Sequence, residues 1–500
     1  MPAPKNLMRV VLTVALLCLF SRSGGAEEFP KYEGYAPATE AMRKWKAAGN
    51  HVQILHAANT ALIWAKTDVE RADTLLFVAS ELVDYQDPRP DFFHVRREGD
   101  LESARRRYGE ILKLPAASAQ QKAQAQLGVA ETYRLQAKLT FKAEHMNAAR
   151  EGYVKALALP ELSPEARSEA LLGKAEMYAS LNNSLIPVRR EEVQAALADY
   201  NQVLAIEAAP PTKKAQALLG ISAMQDYLEQ PQEALAALKR VLEMPGATIA
   251  QKTQALFTQG RQLAVLNRRE EARAAWAQII AMEGAEALQK INAHRLLIRF
   301  DLQDKNLAAV PAQIAQINVL LAGLPDDKKV QERKANASLL SRAGFPALAR
   351  TEYEAVRQIP GASVSESALA LRAVGATYEE EKNYAKAREV WETALLIKDV
   401  SPMLQTMLLE DIGKSYALQG LYPAARGAYQ RLIALPRLKE LASKEISIGE
   451  AWLLIGDSYL AEKNYTEARR AYGKAEEGGE VMKEEAQKKL QLLEAQQKAG

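Results

Sequence analysis

The chain has 500 residues and a single cysteine, Cys18. That cysteine lies inside an N-terminal apolar run, so the chain beyond it can form no disulfide and offers no thiol nucleophile or thiolate ligand. An oxidising compartment is tolerated, because there is no thiol left to oxidise. Aromatic residues are scarce, at 6%. This weighs against a sugar-binding cleft paved with rings and suits thin helix–helix seams lined by alanine. An excess of one charge is also missing. The 65 Lys and Arg face 62 Asp and Glu, and the surplus sits in residues 1–26, which hold Lys5, Arg9 and Arg22 and no acid. A nucleic-acid binder would carry a basic excess, so no nucleic acid is expected as a partner. Past the N-terminus no stretch reaches the ~18 apolar residues that a membrane span needs. No transmembrane segment is expected in the mature chain.

Catalytic signatures are equally thin. The five histidines are His51, His56, His94, His145 and His294. His51 and His56 are five apart, which splits them across a helix instead of aligning them on one ligand-bearing face. There is no Gly-rich phosphate loop and no nucleophile elbow. Glu191-Glu192 and Glu379-Glu380-Glu381 read as solvated charge on polar helix faces. Arg105-Arg106-Arg107, flanked by Glu102 and Glu110, reads the same way, with pairing one helical turn apart; an acidic partner is the alternative. Asn182, Asn336 and Asn464 open N-x-Ser/Thr triplets, which matter only in a glycosylating host. No catalytic residue, cofactor or metal is assigned, and a non-enzyme is expected.

The N-terminus has the layout of a secretory signal. Lys5 and Arg9 supply positive charge, Val10 to Phe20 is apolar, and Gly24-Gly25-Ala26 offers a small-residue cleavage site before Glu27. An uncleaved anchor is one alternative. Lipid attachment at Cys18 is another, which Leu17, standing where a small residue is wanted, disfavours. The expected location is outside the cytoplasm, periplasmic or extracellular, after cleavage near Ala26.

What the chain has in quantity is one repeated frame. Trp452, Ile455, Gly456 and Tyr459 share a helical face, and Ala468, Tyr472 and Ala475 repeat the stripe on a second helix. Leu371, Val374, Gly375, Tyr378, Ala387, Trp391 and Ala394 form another copy. Leu409, Ile412, Gly413, Tyr416, Ala425 and Tyr429 form a third, and Leu256, Gly260, Leu263, Ala272 and Trp276 a fourth. Gly375 to Ala387, Gly413 to Ala425, Gly456 to Ala468 and Gly260 to Ala272 are each twelve residues apart. The small residues let two helices approach closely, and the rings fill the space beside them. Apolar-Pro pairs such as Leu114-Pro115, Leu159-Pro160, Leu324-Pro325 and Leu435-Pro436 stop the second helices.

This pattern resembles the tetratricopeptide repeat (TPR) family, whose unit is a helical hairpin of about 34 residues. The match is clear over 368–401, 406–439 and 449–482 and good over 253–286. It is fainter over 215–246 and 330–361, with a degenerate pair at 287–324. The resemblance implies an all-α fold, a right-handed superhelical solenoid of nine or ten stacked antiparallel hairpins. It implies a non-enzymatic interaction scaffold that holds a partner protein or peptide on the concave face lined by first helices, where Lys414, Asp457, Glu379 and Arg261 are candidates. By analogy with exported members, the scaffold would serve the cell envelope. The alternative is a carbohydrate- or peptide-binding accessory subunit of an envelope enzyme or uptake complex.

The expected organisation is a signal peptide (1–26), an N-terminal extended segment with capping helices (27–70, extended over 27–40 and helical over 39–70), expanded repeats (71–246), divergent repeats (247–361), regular repeats (362–482) and a C-terminal capping helix (483–500). The expanded repeats carry extra residues between the two small positions. Gly128 to Ala149 is twenty-one and Gly173 to Ala196 twenty-three, and the stretch from Tyr85 to Asp100 is similar. Insertions at equivalent loops would line one edge of the stack. That edge would present Tyr85, Phe92, Phe93, Arg96, Arg97, Phe141, Arg189 and Arg190, with His94, Lys142 and His145 among them. Aromatic and arginine side chains of this kind anchor interfaces. The alternative is that the helices are simply longer and the rings pack internally.

Overall fold

The computed structural model describes residues 30–84, 93–160, 162–179, 189–436, 438 and 444–499. Among them are twenty-three α-helices and no strand. They come as eleven consecutive pairs and a last single helix. The pairs begin with Tyr35–Ala47 and His51–Trp64, then Asp68–Asp84 and Phe93–Leu112, then Ala119–Thr140 and Ala143–Leu157, then Pro164–Ala179 and Arg190–Ala205, then Pro211–Tyr227 and Pro231–Glu243. Ile249–Val265 and Arg269–Ala281, Ala287–Gln303 and Val310–Leu321, and Asp326–Arg342 and Pro346–Val356 follow. The regular copies are Val364–Glu380 with Tyr384–Leu395, Pro402–Leu418 with Tyr422–Ile433, and Lys444–Ala461 with Tyr465–Ala475, after which Glu480–Ala499 closes the array. The chain divides into two compact units, up to Ala272 and from Arg273.

Local chemistry fixes where helices start and turn. Ser118, Thr248 and Ser363 each accept the amide of the residue three positions on, and Gln121, Gln251 and Glu366 return the bond to the cap amide. These reciprocal pairs satisfy donors that a helix start leaves open. Several first helices end on one residue in the left-handed region, as at Lys382 (φ 60°) and Lys463 (φ 57°). Asn383 and Asn464 follow at once and cap the second helix through their side chains. A hairpin thus turns in very few residues, which is why the polar stretch between the stripes is so short.

The core is a series of seams between paired helices. In the second unit a Cβ on Gly375, Gly413 or Gly456 would overlap the ring of Trp391, Tyr429 or Tyr472, each from the second helix of the same pair. All three rings are essentially fully buried, and burying a large apolar side chain stabilises by about 1.5–3 kcal/mol. Trp391 Nε1 donates to Arg372 O at 2.9 Å, and Tyr472 Oη donates to Asp457 Oδ1 at 2.7 Å, so their polar ends are met as well.

The first unit uses its glycines differently, which corrects the alignment of Gly128 and Gly173 with Gly375. A Cβ on Gly128, Gly173 or Gly220 would overlap Tyr108, Tyr153 or Tyr200 from the second helix of the preceding pair. The residue equivalent to Gly456 is instead Ala130. A Cβ on Gly152 would lie 2.9 Å from Ala130 Cβ, and Tyr153 Oη donates to Glu131 at 2.9 Å just as Tyr472 does to Asp457.

Three further expectations change. The extra residues between Gly128 and Ala149 form no loop. They lengthen the first helix to twenty-two residues, Ala119–Thr140, because no breaker occurs before Phe141. Residues 35–40 are not extended: a helix starts at Tyr35, with Pro37 in its first turn, where proline removes no helical bond. The array holds eleven pairs among the described residues instead of nine or ten hairpins, because the two helices expected as a cap form a pair of their own.

Candidate functional site

Successive pairs are joined by one arrangement that recurs. The arginine that follows the small alanine of a second helix lies over the aromatic ring of the next pair's first helix. Arg105 lies 3.6 Å from the Tyr133 centroid, Arg350 4.2 Å from Tyr378, Arg388 4.0 Å from Tyr416 and Arg426 4.1 Å from Tyr459. The same guanidinium bonds the hydroxyl just before the ring and the Glu or Gln three residues after it. Arg388 donates to Ser415 Oγ at 3.0 Å and Gln419 Oε1 at 2.6 Å; Arg426 donates to Ser458 Oγ at 3.2 Å and Glu462 at 2.7 Å. Planar stacking and a fixed fork of donors are properties of arginine that lysine lacks. These arginines and tyrosines are therefore engaged in holding the array together.

The first helices carry a second set of contacts between pairs. In the first unit it is well filled. Arg134 bonds Glu176 at 2.8 Å and also pairs with Glu131, while Lys138 and Gln216 both reach Glu176 at 3.3 Å. Burial pushes the Glu131 carboxyl up, but the bonds from Arg134 and Tyr153 outweigh it and hold it below the usual carboxylate value.

In the second unit a base recurs three residues before the position that holds Gly375 in its own repeat: Arg295, Lys334 and Arg372. Arg295 bonds Asn336 Oδ1 at 2.9 Å and Glu332 O at 2.9 Å on the next first helix. Arg372 bonds Asp411 at 2.6 Å on the next first helix. Lys334 has no such partner. The position equivalent to Asp411 is Ala373, and among the described residues none holds the Lys334 ammonium.

A cavity of about 480 Å³ opens at this point. It is lined by Lys334 and Ser338 from Asp326–Arg342, Tyr353, then Leu369, Ala370, Arg372, Ala373, Ala376 and Glu379 from Val364–Glu380, Trp391, and Asp411 from Pro402–Leu418. Three consecutive first helices build it. Leu369 and Ala376 are exposed along it, Ala370 and Trp391 are buried, and Lys334, Arg372, Glu379 and Asp411 are partly buried. Burial pushes the Glu379 carboxyl above the usual value, and the nearby Asp411 pushes it further; Lys414 offsets this only in part. Among the described residues nothing bonds Glu379 either. The groove therefore holds one base and one acid without partners, beside a floor of small side chains.

The residues singled out from sequence fall as follows. Tyr85 and Phe92 lie outside the described residues. Phe93, Arg96 and Arg97 belong to the helix Phe93–Leu112, and their side chains lie outside the described residues. Phe141 is the turn residue between Ala119–Thr140 and Ala143–Leu157, left-handed and 60% exposed. Arg189 is exposed and held by Glu192 at 3.0 Å, and Arg190, also exposed, opens the following helix. No contact among the described residues brings Phe141 to Arg189 or Arg190. Of the candidates beside the stripe, Glu379 lines the groove. Lys414 is paired with Glu410 on its own helix, Asp457 is taken up by Tyr472 and Lys489, and Arg261 is exposed on Ile249–Val265.

Lys334, Ser338 and Arg372 were missed. Their signal is a base at one repeat position in three consecutive units, which requires a register through the divergent copies. The arginine staples were missed because each is a relation between pairs, 28 residues apart at Arg105, Arg350 and Arg388 and 33 at Arg426. Among the described residues no group of three His, Cys, Asp or Glu is placed to hold a metal ion. None of the helices there is long and apolar enough to cross a membrane.

No protein-family model and no curated protein sequence matches the chain. Among solved structures, it is similar to a tetratricopeptide repeat protein from Parabacteroides merdae at 16% identity, over 68% of this chain and 98% of that one, with a TM-score of 0.29. It is also similar to the TPR domain of P58(IPK) at 14% identity, over 86% of this chain and 98% of that one, with a TM-score of 0.22. Superposition at that level transfers no residue role, so the assignment rests on the hairpins themselves, with a small residue under a ring and one left-handed residue at the turn. By that geometry the described residues are all-α, stacked as antiparallel helical hairpins within each unit, and the hairpins are similar to those of tetratricopeptide repeats.

Proposed function

We propose that this protein is a non-enzymatic interaction scaffold of the cell envelope. It holds an extended segment of a partner protein in the first-helix groove of the second unit. The observation that carries this is the pair of charges without partners among the described residues, Lys334 and Glu379, in this cavity, whereas the equivalent bases Arg295 and Arg372 are both matched. Leaving a charge half-buried and unpaired costs stability, and a bound segment would repay it. Protein is favoured over carbohydrate because an arginine covers one face of the rings at Tyr133, Tyr378, Tyr416 and Tyr459, which leaves fewer open ring faces on which sugars stack. Placement outside the cytoplasm rests on the N-terminal signal pattern and on a chain with no cysteine beyond Cys18.

The test is a photo-crosslinking amino acid placed in the full chain in its own cells. At Ala376, on the groove, it should trap one defined protein. At Thr393, exposed on a second helix, it should trap none. Equal adducts at both positions, or adducts from Thr393 alone, would remove the groove from consideration. Fusion of residues 1–26 to a reporter active only outside the cytoplasm tests export separately, and an inactive fusion would refute the location.

A further inference from the structure

The contact ladder of the second unit has one rung with a base and no acid. Arg295, Lys334 and Arg372 occupy the same position in three consecutive first helices. The two arginines reach across to the next helix, to Asn336 and Glu332 O in one case and to Asp411 in the other. Where Lys334 would find its acid the chain has Ala373, and the missing side chain is part of what opens the cavity. Lys334 does feel the charge of Glu366, but that carboxylate is spent capping its own helix through the Ser363 amide at 2.9 Å and hydroxyl at 2.8 Å. Ser338, one turn along from Lys334, adds a hydroxyl donor to the same wall.

Resting on the groove as the binding site, we infer that its occupant is an internal, extended peptide segment of a partner protein. A glutamate or aspartate side chain of that segment completes the open rung on Lys334, and a lysine or arginine of the same segment meets Glu379. The floor of Ala373 and Ala376 takes small residues between them. A side-chain carboxylate is chosen over a chain terminus because the groove continues past Lys334 to a second unpaired charge, so the chain runs on through it. A single ammonium also suits one carboxylate held as a point charge; the fork geometry of Arg372 is already used by Asp411.

The spacing follows from helix geometry. In its helix Lys334 corresponds to Arg372, and Glu379 lies seven residues further on, which is about 10 Å of rise. A sideways step of about 8–10 Å between packed helices puts the two charges about 13–14 Å apart. An extended chain covers that in about four residues.

Two display libraries of twelve random residues test this against the full-length protein, one with the random stretch flanked on both sides by fixed sequence and one ending in a free carboxylate. The wild type should enrich Asp or Glu at one position of the internal library at least fivefold, with Lys or Arg about four residues away. Lys334→Glu should switch the acidic position to Lys or Arg. An unchanged profile in Lys334→Glu, enrichment from the free-carboxylate library alone, or no enrichment at all would overturn the inference. Ala376→Trp, which fills the groove, separates this from the broader proposal. If Ala376→Trp abolishes selection while Lys334→Glu changes nothing, the groove stands and the charge assignment falls. If neither matters, both fall.

Discussion

The Arg388 guanidinium sits 4.0 Å from the centroid of the Tyr416 ring and joins two neighbouring hairpins. It is one of a series that runs along the stack, and each copy adds a cation–ring contact to two hydrogen bonds. Because a repeat array gains stability from its neighbour interfaces, these staples bear on cooperativity more than on any one hairpin.

Arg388→Ala should cost about 1–2 kcal/mol, from the lost stacking, the bonds to Ser415 and Gln419 and the buried stem. Arg388→Lys should recover little of it, since an ammonium reproduces neither the planar stacking nor the fork. Denaturant midpoints measure the loss. Hydrogen exchange should speed up in Pro402–Leu418 before it does in the pairs farther along.

The same substitution should have opposite signs at two glycines of adjacent helices. A Cβ on Gly413 would run into Tyr429, whereas one on Gly427 meets nothing within 4 Å. Gly427→Ala should stabilise by about 0.5–1 kcal/mol through helix propensity. Gly413→Ala gains the same propensity but overpacks a closed seam at about 1–3 kcal/mol, so the net should be destabilising. Thermal melting of the two variants decides it, and equal shifts would mean the seam is looser than the structure shows.

Glu379 gives a pH signature. Burial first, then Asp411, raises its carboxyl in the folded state. A raised acid pKa means that the folded chain binds its proton more tightly than the unfolded one, so the charged form costs stability above the folded value and costs nothing below the unfolded one. Glu379→Gln should therefore melt at a higher temperature than the wild type at pH 7, and at the same temperature at pH 3.5. A gain at both values would point to packing. A loss at pH 7 would show that Glu379 has a partner.

How much of this could be read from the amino acids differs between the halves of the chain. In the regular copies the twelve-residue step and the ring sixteen residues after Gly375, Gly413 and Gly456 fixed the hairpins, because small residue and ring belong to one pair. In the earlier copies the conspicuous glycine answers to the previous pair's tyrosine, and Ala130 occupies the true intra-pair position. Aligning Gly128 with Gly375 therefore slipped the register by two residues, and the rest of the apparent insertion is the longer first helix, Ala119–Thr140. The acid after the small residue, Glu131 matching Asp457, was the signal that would have corrected it. The groove was beyond reach for another reason. Lys334 is notable only because Ala373 is not an acid, and that absence has meaning only once Arg372 is known to bond Asp411.

Hydrogen exchange on the full chain, with and without a peptide selected by display, tests the binding face most directly. Protection should appear in Asp326–Arg342, Val364–Glu380 and Pro402–Leu418 and vanish in the Ala376→Trp variant. Protection confined to the second helices, or to the residues before Arg273, would contradict it.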